Sequence, residues 1–340
     1  MIEFQSTWGW PAALYLFLGG LGAGMFAAAS GLLVLGRKRH RAAVAAAYGL
    51  ATLCLAVGLL ALLWEVGSPL RALVLPRSFT NMGSWMARGA WVVIMALAVC
   101  ALAAALASKR ASKALARAWR WLPGAPKLPR KQLLRVCAVA GSVLAMFVAF
   151  YTGALLASAP GVPFWNSWLL PVLFTVSALG AGANAVAALT VITGSARKVS
   201  RVRRRLFAYC SMGVAVAEGA VLTVYLVGML QGWGALDPVA AKATAVSAHA
   251  LVAGSLAVPF WALAVGLGLV GPVVTSAVSL FVRKRAGLAL VVVGAAGALA
   301  GECALRFLFL YAGASADYVG STLAEVVSIA SIATPFATMF

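Results

Sequence analysis

Eight apolar stretches, each long enough to cross a lipid bilayer and separated by short gaps, constrain this chain more than any other feature. They cover roughly 11–36, 42–67, 88–108, 133–156, 168–194, 206–230, 245–271 and 287–312. A spanning helix needs about 20 mostly apolar residues. With no water in the bilayer core, each segment must satisfy its own backbone hydrogen bonds, which selects the helix for stretches of this kind. Hydrophobic residues fill 64% of the 340 positions and charged residues only 10%, far below the ~25% of a soluble domain. The expected fold class is all-α integral membrane, with about eight transmembrane helices and no soluble domain of any size.

The net charge of +20 does not point to nucleic acid, because the basic residues lie in brief runs between apolar stretches. Those runs are Arg37–Arg41, Lys109–Arg135, Arg197–Arg205 and Arg283–Arg285, and they hold 22 of the 27 Lys and Arg. The intervening connections hold only Arg71, Arg77, Arg88 and Lys242, and Arg306 lies inside the last stretch. Basic residues accumulate on the cytoplasmic side of a membrane, so the alternation predicts a multi-pass protein with both termini outside. The N-terminal MIEFQSTWGWP has no basic n-region and no small-residue cleavage site, so the first stretch reads as a retained span rather than a signal peptide. Trp8, Trp10, Trp85, Trp165, Trp168 and Trp233 gather near the outer span ends, with Trp119 and Trp121 in an inner loop, the pattern of interface anchors.

The first four and last four spans run in the same direction, which suits two parallel four-helix bundles, 1–160 and 161–340. One local echo accompanies this count. Leu21-Gly22-Ala23-Gly24 recurs as Leu179-Gly180-Ala181-Gly182, a composition that also lets helix backbones approach closely.

Ionisable groups inside a membrane are costly and are functional candidates by default. Glu65 ends the second stretch, Glu218 lies near the middle of the sixth, and His249 is at the outer end of the seventh. Glu302 and Arg306 share a face of the eighth at i, i+4 spacing, where they can neutralise each other. Tyr151 lies one or two turns from the outer surface in Tyr151-Thr152-Gly153. Tyr, His and Arg can donate to a quinone carbonyl, and a carboxylate can accept the protons that quinol oxidation releases. Haem is a poor fit, since the only histidines are His40 and His249 and a b-type haem takes two axial ligands. The five cysteines are scattered singly, so neither an iron–sulfur cluster nor a metal is expected in this chain.

Four segments together resemble the NrfD/polysulfide-reductase membrane-subunit family. They are Trp10-Pro11 with Tyr15-Leu16-Phe17-Leu18-Gly19-Gly20 and Gly22-Ala23-Gly24; Glu65-Val66-Gly67-Ser68-Pro69-Leu70-Arg71 with Ser84-Trp85-Met86-Ala87-Arg88-Gly89; Tyr151-Thr152-Gly153 through Trp165-Asn166 to Pro171, Phe174 and Ser177; and Leu305-Arg306 with Ala312-Gly313. The resemblance covers essentially the whole sequence. It implies an inner-membrane subunit of a bacterium or archaeon that binds quinone or menaquinone and is not catalytic alone. It also implies two partners, a four-cluster ferredoxin-like iron–sulfur subunit and a molybdopterin catalytic subunit. By the same resemblance Tyr151 inherits a role at the quinone, Glu65 takes an acidic-or-His position as proton acceptor, and Arg306 matches a span-8 arginine. The sequence departs from the family in two places. The first helix has an apolar Leu/Gly run where some members carry polar residues, and Ser68 replaces the usual basic residue.

Arg71, Arg77 and Arg88 run against the charge bias and are candidates for docking the iron–sulfur partner on the outer side. A second class of function stays open, a proton-translocating or transporter-type protein using Glu218 and Glu302. A purely structural membrane anchor is the third.

Overall fold

The computed structural model describes residues 8–35, 40–65, 85–119, 129–159, 161–194, 201–233, 235 and 238–314. Among them every regular element is helical. In chain order these are α1 (Trp10–Leu35), α2 (Arg41–Glu65), α3 (Trp85–Ala107), α4 (Lys109–Trp119), α5 (Arg130–Ala157), α6 (Leu169–Ile192), α7 (Arg201–Leu230) and α8 (Pro238–Val252). They are followed by α9 (Ala257–Phe281) and α10 (Lys284–Ala314). Eight of them, α1, α2, α3, α5, α6, α7, α9 and α10, are long and apolar enough to cross a membrane. The protein is an all-α, multi-pass integral membrane protein. One end of the bundle, the basic end, carries Arg41, Lys109, Arg130, Arg205 and Lys284 at helix termini.

These helices are apolar on both faces, and residue size sorts the two. On α5 the exposed line is Val136, Val139, Val143 and Phe147, whereas the buried line is Cys137, Gly141, Ala145 and Val148. A soluble helix would show polar residues on the outer line. Here large side chains meet lipid, and small ones let the helices approach where no hydrophobic force separates protein from solvent.

The helices pack around a central joint between α1 and α6. α1 also lies against α2 and α5, and α3 packs on α2 and α5. α6 lies against α5, α7 and α10, and α9 packs on the last two. The small-residue echo lies on the joint. Gly24 and Gly182 touch backbone to backbone, so a Cβ on either would land on the other helix. The fourth position of each quartet therefore meets its counterpart. Gly22 faces Ala51 and Leu55 of α2 as Gly180 faces Val214 and Glu218 of α7.

The seventh span differs from the sequence expectation. The apolar run over 245–271 is divided by Ala253-Gly254-Ser255, where Ala253 and Gly254 N–H both bond to the His249 carbonyl and end α8. The membrane-length helix starts only at Ala257 and continues to Phe281. Hydropathy does not register the break, because its residues are small and none is charged. Within α9, residues Phe260–Val270 form a wider helix with i→i+5 bonding, and Gly268 lies against the backbone of Gly301 on α10.

Candidate functional site

Tyr151-Thr152-Gly153 stands near the end of α5 remote from the basic loops. Successive helical residues are about 100° apart, so three in a row meet three neighbours. The Tyr151 ring fills the space beside Gly89 of α3, and Thr152 lies against Gly19 of α1. Gly153 lets α6 cross closely, since a Cβ there would come within 2.5 Å of Pro171 Cα. Thr152 turns its hydroxyl back to the Ala149 carbonyl at 2.7 Å, leaving its methyl for α1.

Tyr151 is buried, and its hydroxyl has no hydrogen-bond partner among the described residues. The same holds for Tyr15 on α1, which is 1% exposed and near enough to Tyr151 to interact with it electrostatically. Its ring packs beside Gly19 and Gly58. Two neighbouring buried hydroxyls without partners are unusual, because each such group costs about 1–3 kcal/mol. Tyr15 was legible in the first-helix motif but not as a polar group of the site, since it stands in an otherwise apolar run.

Glu65, the last residue of α2, accepts a hydrogen bond from the Gly9 N–H, directly before α1. An acceptor there satisfies one of the orphan donors of a helix start, and its charge suits the positive end of the helix. Arg88 is exposed in the first turn of α3, one residue from the Gly89–Tyr151 contact. Arg71 and Arg77 lie outside the described residues.

Arg306 is elsewhere, in a second polar group between α6, α7 and α10. It is fully buried, bonds Glu302 Oε1 at 2.8 Å and the Phe174 carbonyl at 3.3 Å, and stacks 3.7 Å above the Phe174 ring. The i, i+4 ion pair expected from spacing is present, and a third charge joins it. Ser177 Oγ lies 2.6 Å from Glu218 Oε1, in short contact with Glu302 Oε2, and 3.4 Å from Arg306 Nη1. Sequence spacing paired Glu302 with Arg306, but only the fold brings Glu218 and Ser177, 41 residues apart, together.

Aromatic rings cover this group on the side away from the basic end. Phe164, Phe174, Tyr225 and Phe309 pack with centroids 5.4–6.2 Å apart. Trp165 donates from Nε1 to the Phe309 carbonyl at 2.9 Å and rests on Gly313. At 1% exposure Trp165 belongs to the core, which corrects its reading as an interface anchor. The neighbouring Trp10, Trp168 and Trp233 are exposed as anchors should be. The reason is that the 161–168 loop folds inward between α7 and α10. His249 stands apart from both polar groups, exposed on α8. Among the described residues no three His, Cys, Asp or Glu side chains gather as a metal site.

A family model described as "Polysulphide reductase, NrfD" matches residues 3–316. Protein NrfD of Escherichia coli (strain K12) is 30% identical over 326 residues, covering 92% of this sequence and 96% of that protein. The C subunit of the polysulfide reductase of Wolinella succinogenes is 30% identical over 321 residues, with the same coverage. An NrfD homolog of Haemophilus influenzae is 27% identical over 173 residues, half of each protein. With a match over nearly its whole length, this chain belongs to the NrfD polysulphide reductase family of membrane subunits of redox complexes.

Proposed function

We propose that the protein exchanges electrons between membrane quinone and an iron–sulfur partner of a molybdopterin oxidoreductase, with Tyr15 and Tyr151 as the quinone-side donors. The observation that carries this reading is the pair of buried hydroxyls, Tyr15 and Tyr151, without partners among the described residues. A quinone carbonyl is an acceptor suited to such donors, and hydrogen bonds from a fixed, dry site resist water competition. Menaquinone and other quinones fit this chemistry equally. When bound, the quinone supplies two-electron, two-proton chemistry; the protein's own residues hold the headgroup, orient it and handle protons.

The positive-inside bias puts the basic end in the cytoplasm of a bacterial or archaeal cell, with both termini outside. The tyrosine pair then lies near the outer face, and Arg88 stands at the surface beside it. That surface, with Arg71 and Arg77, is our candidate for the iron–sulfur partner's docking platform. Glu65 is the carboxylate we assign to proton acceptance. It does so while bound to Gly9, so its proton exchange is coupled to the start of α1. Arg306 and His249, the other candidate quinone contacts, are in this reading outside the quinone-binding pair.

The test is quinol-dependent reduction of the partner's clusters in the intact complex. Tyr15→Phe and Tyr151→Phe each lower the rate by about tenfold or more, the loss of one hydrogen bond used in the reaction. Rates equal to the parent in both variants overturn this reading.

A further inference from the structure

The second polar group is not used by the quinone reading, and counting its hydrogens shows what it holds. Ser177 has one hydroxyl proton and two acceptor lone pairs. Three groups reach its oxygen: Arg306 Nη1, Glu218 Oε1 and Glu302 Oε2. Arg306 uses one lone pair as donor, and Ser177 gives its proton to one carboxylate. The other carboxylate is then left facing an oxygen without a hydrogen between them, unless it carries a proton itself. With both glutamates ionised and one arginine the cluster bears a net charge of −1. One added proton makes it neutral and completes every contact at Ser177. Uncompensated charge in so buried a site is strongly unfavourable, and Glu218, Glu302 and Arg306 are at most 7% exposed. No other charged side chain bonds to this group among the described residues.

Two cavities approach the group from the direction of the basic end. A cavity of about 10 Å³ touches Glu218, Glu302 and Asn184 beneath the wide helical segment of α9, about the size that admits one water. A second cavity of about 60 Å³ begins at the same Asn184 and is lined by Ser211, Thr275, Ser276, Ser279 and Thr190 toward the basic end. The polar side chains along this path are bonded to one another. Ser211 donates to Asn184 Oδ1 at 2.9 Å, and Ser276 reaches Ser211 at 3.5 Å. Asn184 is anchored by its amide on the Gly180 carbonyl at 2.9 Å. In the opposite direction lie Phe174, Tyr225, Phe309 and Phe164, and the Tyr225 hydroxyl is already bonded to the Phe164 carbonyl. Helices with i→i+5 bonding are frequently found at functional sites, and this one supplies Ala264 and Gly268 to the cavity wall.

We propose that Glu218, Glu302 and Ser177 form a proton-loading site with Arg306 as fixed counter-charge. Water entering the two cavities from the basic end fills it, carried along Ser276 and Ser211, with the Asn184 amide positioning the last water beside the pair. The step moves one proton from water at that face onto one carboxylate of the pair, with no electron transferred. The cluster changes from −1 to neutral, and the aromatic layer blocks passage onward. This inference does not depend on the quinone reading, and its test needs no quinone.

The full-length protein is reconstituted in phospholipid vesicles and followed by infrared spectroscopy during transfer to heavy water. The parent shows the carbonyl stretch of a protonated carboxylic acid, which shifts on deuterium exchange. That band is lost or altered in both Glu218→Gln and Glu302→Gln. In Asn184→Leu and Ser211→Val the band persists and exchanges at least tenfold more slowly, and Ser211→Thr, which keeps the hydroxyl, restores the parent rate. Tyr225→Phe, on the aromatic side, exchanges as the parent does. Circular dichroism confirms the helical content of each variant. A parent without a protonated carboxyl band overturns the loading site. A band that exchanges at the parent rate in both Asn184→Leu and Ser211→Val overturns the route.

Discussion

The ring of Tyr151 occupies the volume that a side chain at position 89 would need, so that Gly89 and Tyr151 together make one close-packed contact between α3 and α5. Only glycine at 89 leaves the tyrosine in place. Gly89→Ala therefore displaces the ring and costs about 1–3 kcal/mol through overpacking. The two positions are coupled, so adding Gly89→Ala to Tyr151→Ala has little further effect. Thermal denaturation of the four proteins of this cycle in detergent measures the coupling.

Removing either unpartnered hydroxyl separates function from stability. Tyr15→Phe and Tyr151→Phe delete a buried polar atom that gains no protein hydrogen bond. Each variant should be within about 1 kcal/mol of the parent or more stable than it, while quinone exchange falls. Paired melting curves and turnover assays check this. A tyrosine held for structure alone would lose stability and keep its rate.

Glu65 carries two separable duties, and two substitutions divide them. Glu65→Ala removes the acceptor at the start of α1 and costs about 1 kcal/mol, as helix-cap losses do. Glu65→Gln still accepts from the Gly9 N–H but cannot take up a proton. It should melt close to the parent and show slower quinol oxidation. Equal melting of Glu65→Ala and the parent would show that the Gly9 contact contributes nothing.

Arg306 balances two carboxylates, so its loss is worse than theirs. Arg306→Leu leaves buried negative charge without a partner and costs about 3–5 kcal/mol. Adding Glu302→Gln to Arg306→Leu recovers part of this by removing one of the stranded charges. Arg306→Lys rescues poorly, because an ammonium cannot span Glu302, Ser177 and the Phe174 carbonyl as a planar guanidinium does. Yield of monodisperse protein and melting temperature report all three.

The joint between α1 and α6 depends on backbone contact. Gly24→Val or Gly182→Val forces α1 and α6 apart and should prevent stable folding, the result expected when a side chain enters a close helix crossing. Gly31, farther along α1, has nothing within 4 Å of its Cβ direction, and Gly31→Ala is the tolerated control. Resistance to limited proteolysis in membranes compares them.

The number of spans, the approximate limits of all but the seventh and the alternation of basic connections were legible from the amino-acid sequence alone. The cause is simple: a bilayer imposes a length of apolar helix, and that length is a local property of sequence. The pairing of Glu302 with Arg306 was readable for the same reason, since i, i+4 neighbours meet on any helix. The expectation that small residues at 21–24 and 179–182 mediate close packing needed only composition, although not which helices they join.

Tertiary structure decided everything that depends on one helix meeting another. It paired Tyr151 with Tyr15 and Gly89, drew Glu65 to the start of α1, and turned Trp165 inward into the core. It moved the seventh span past a break that hydropathy cannot register. It also assembled Ser177, Glu218, Glu302 and Arg306 from three helices, leaving His249 outside. In a membrane both faces of a helix are apolar, so periodicity does not say which face is buried or against what. That choice is made by packing small residues against backbones and by pairing buried polar atoms, and it is settled only when all eight helices are in place.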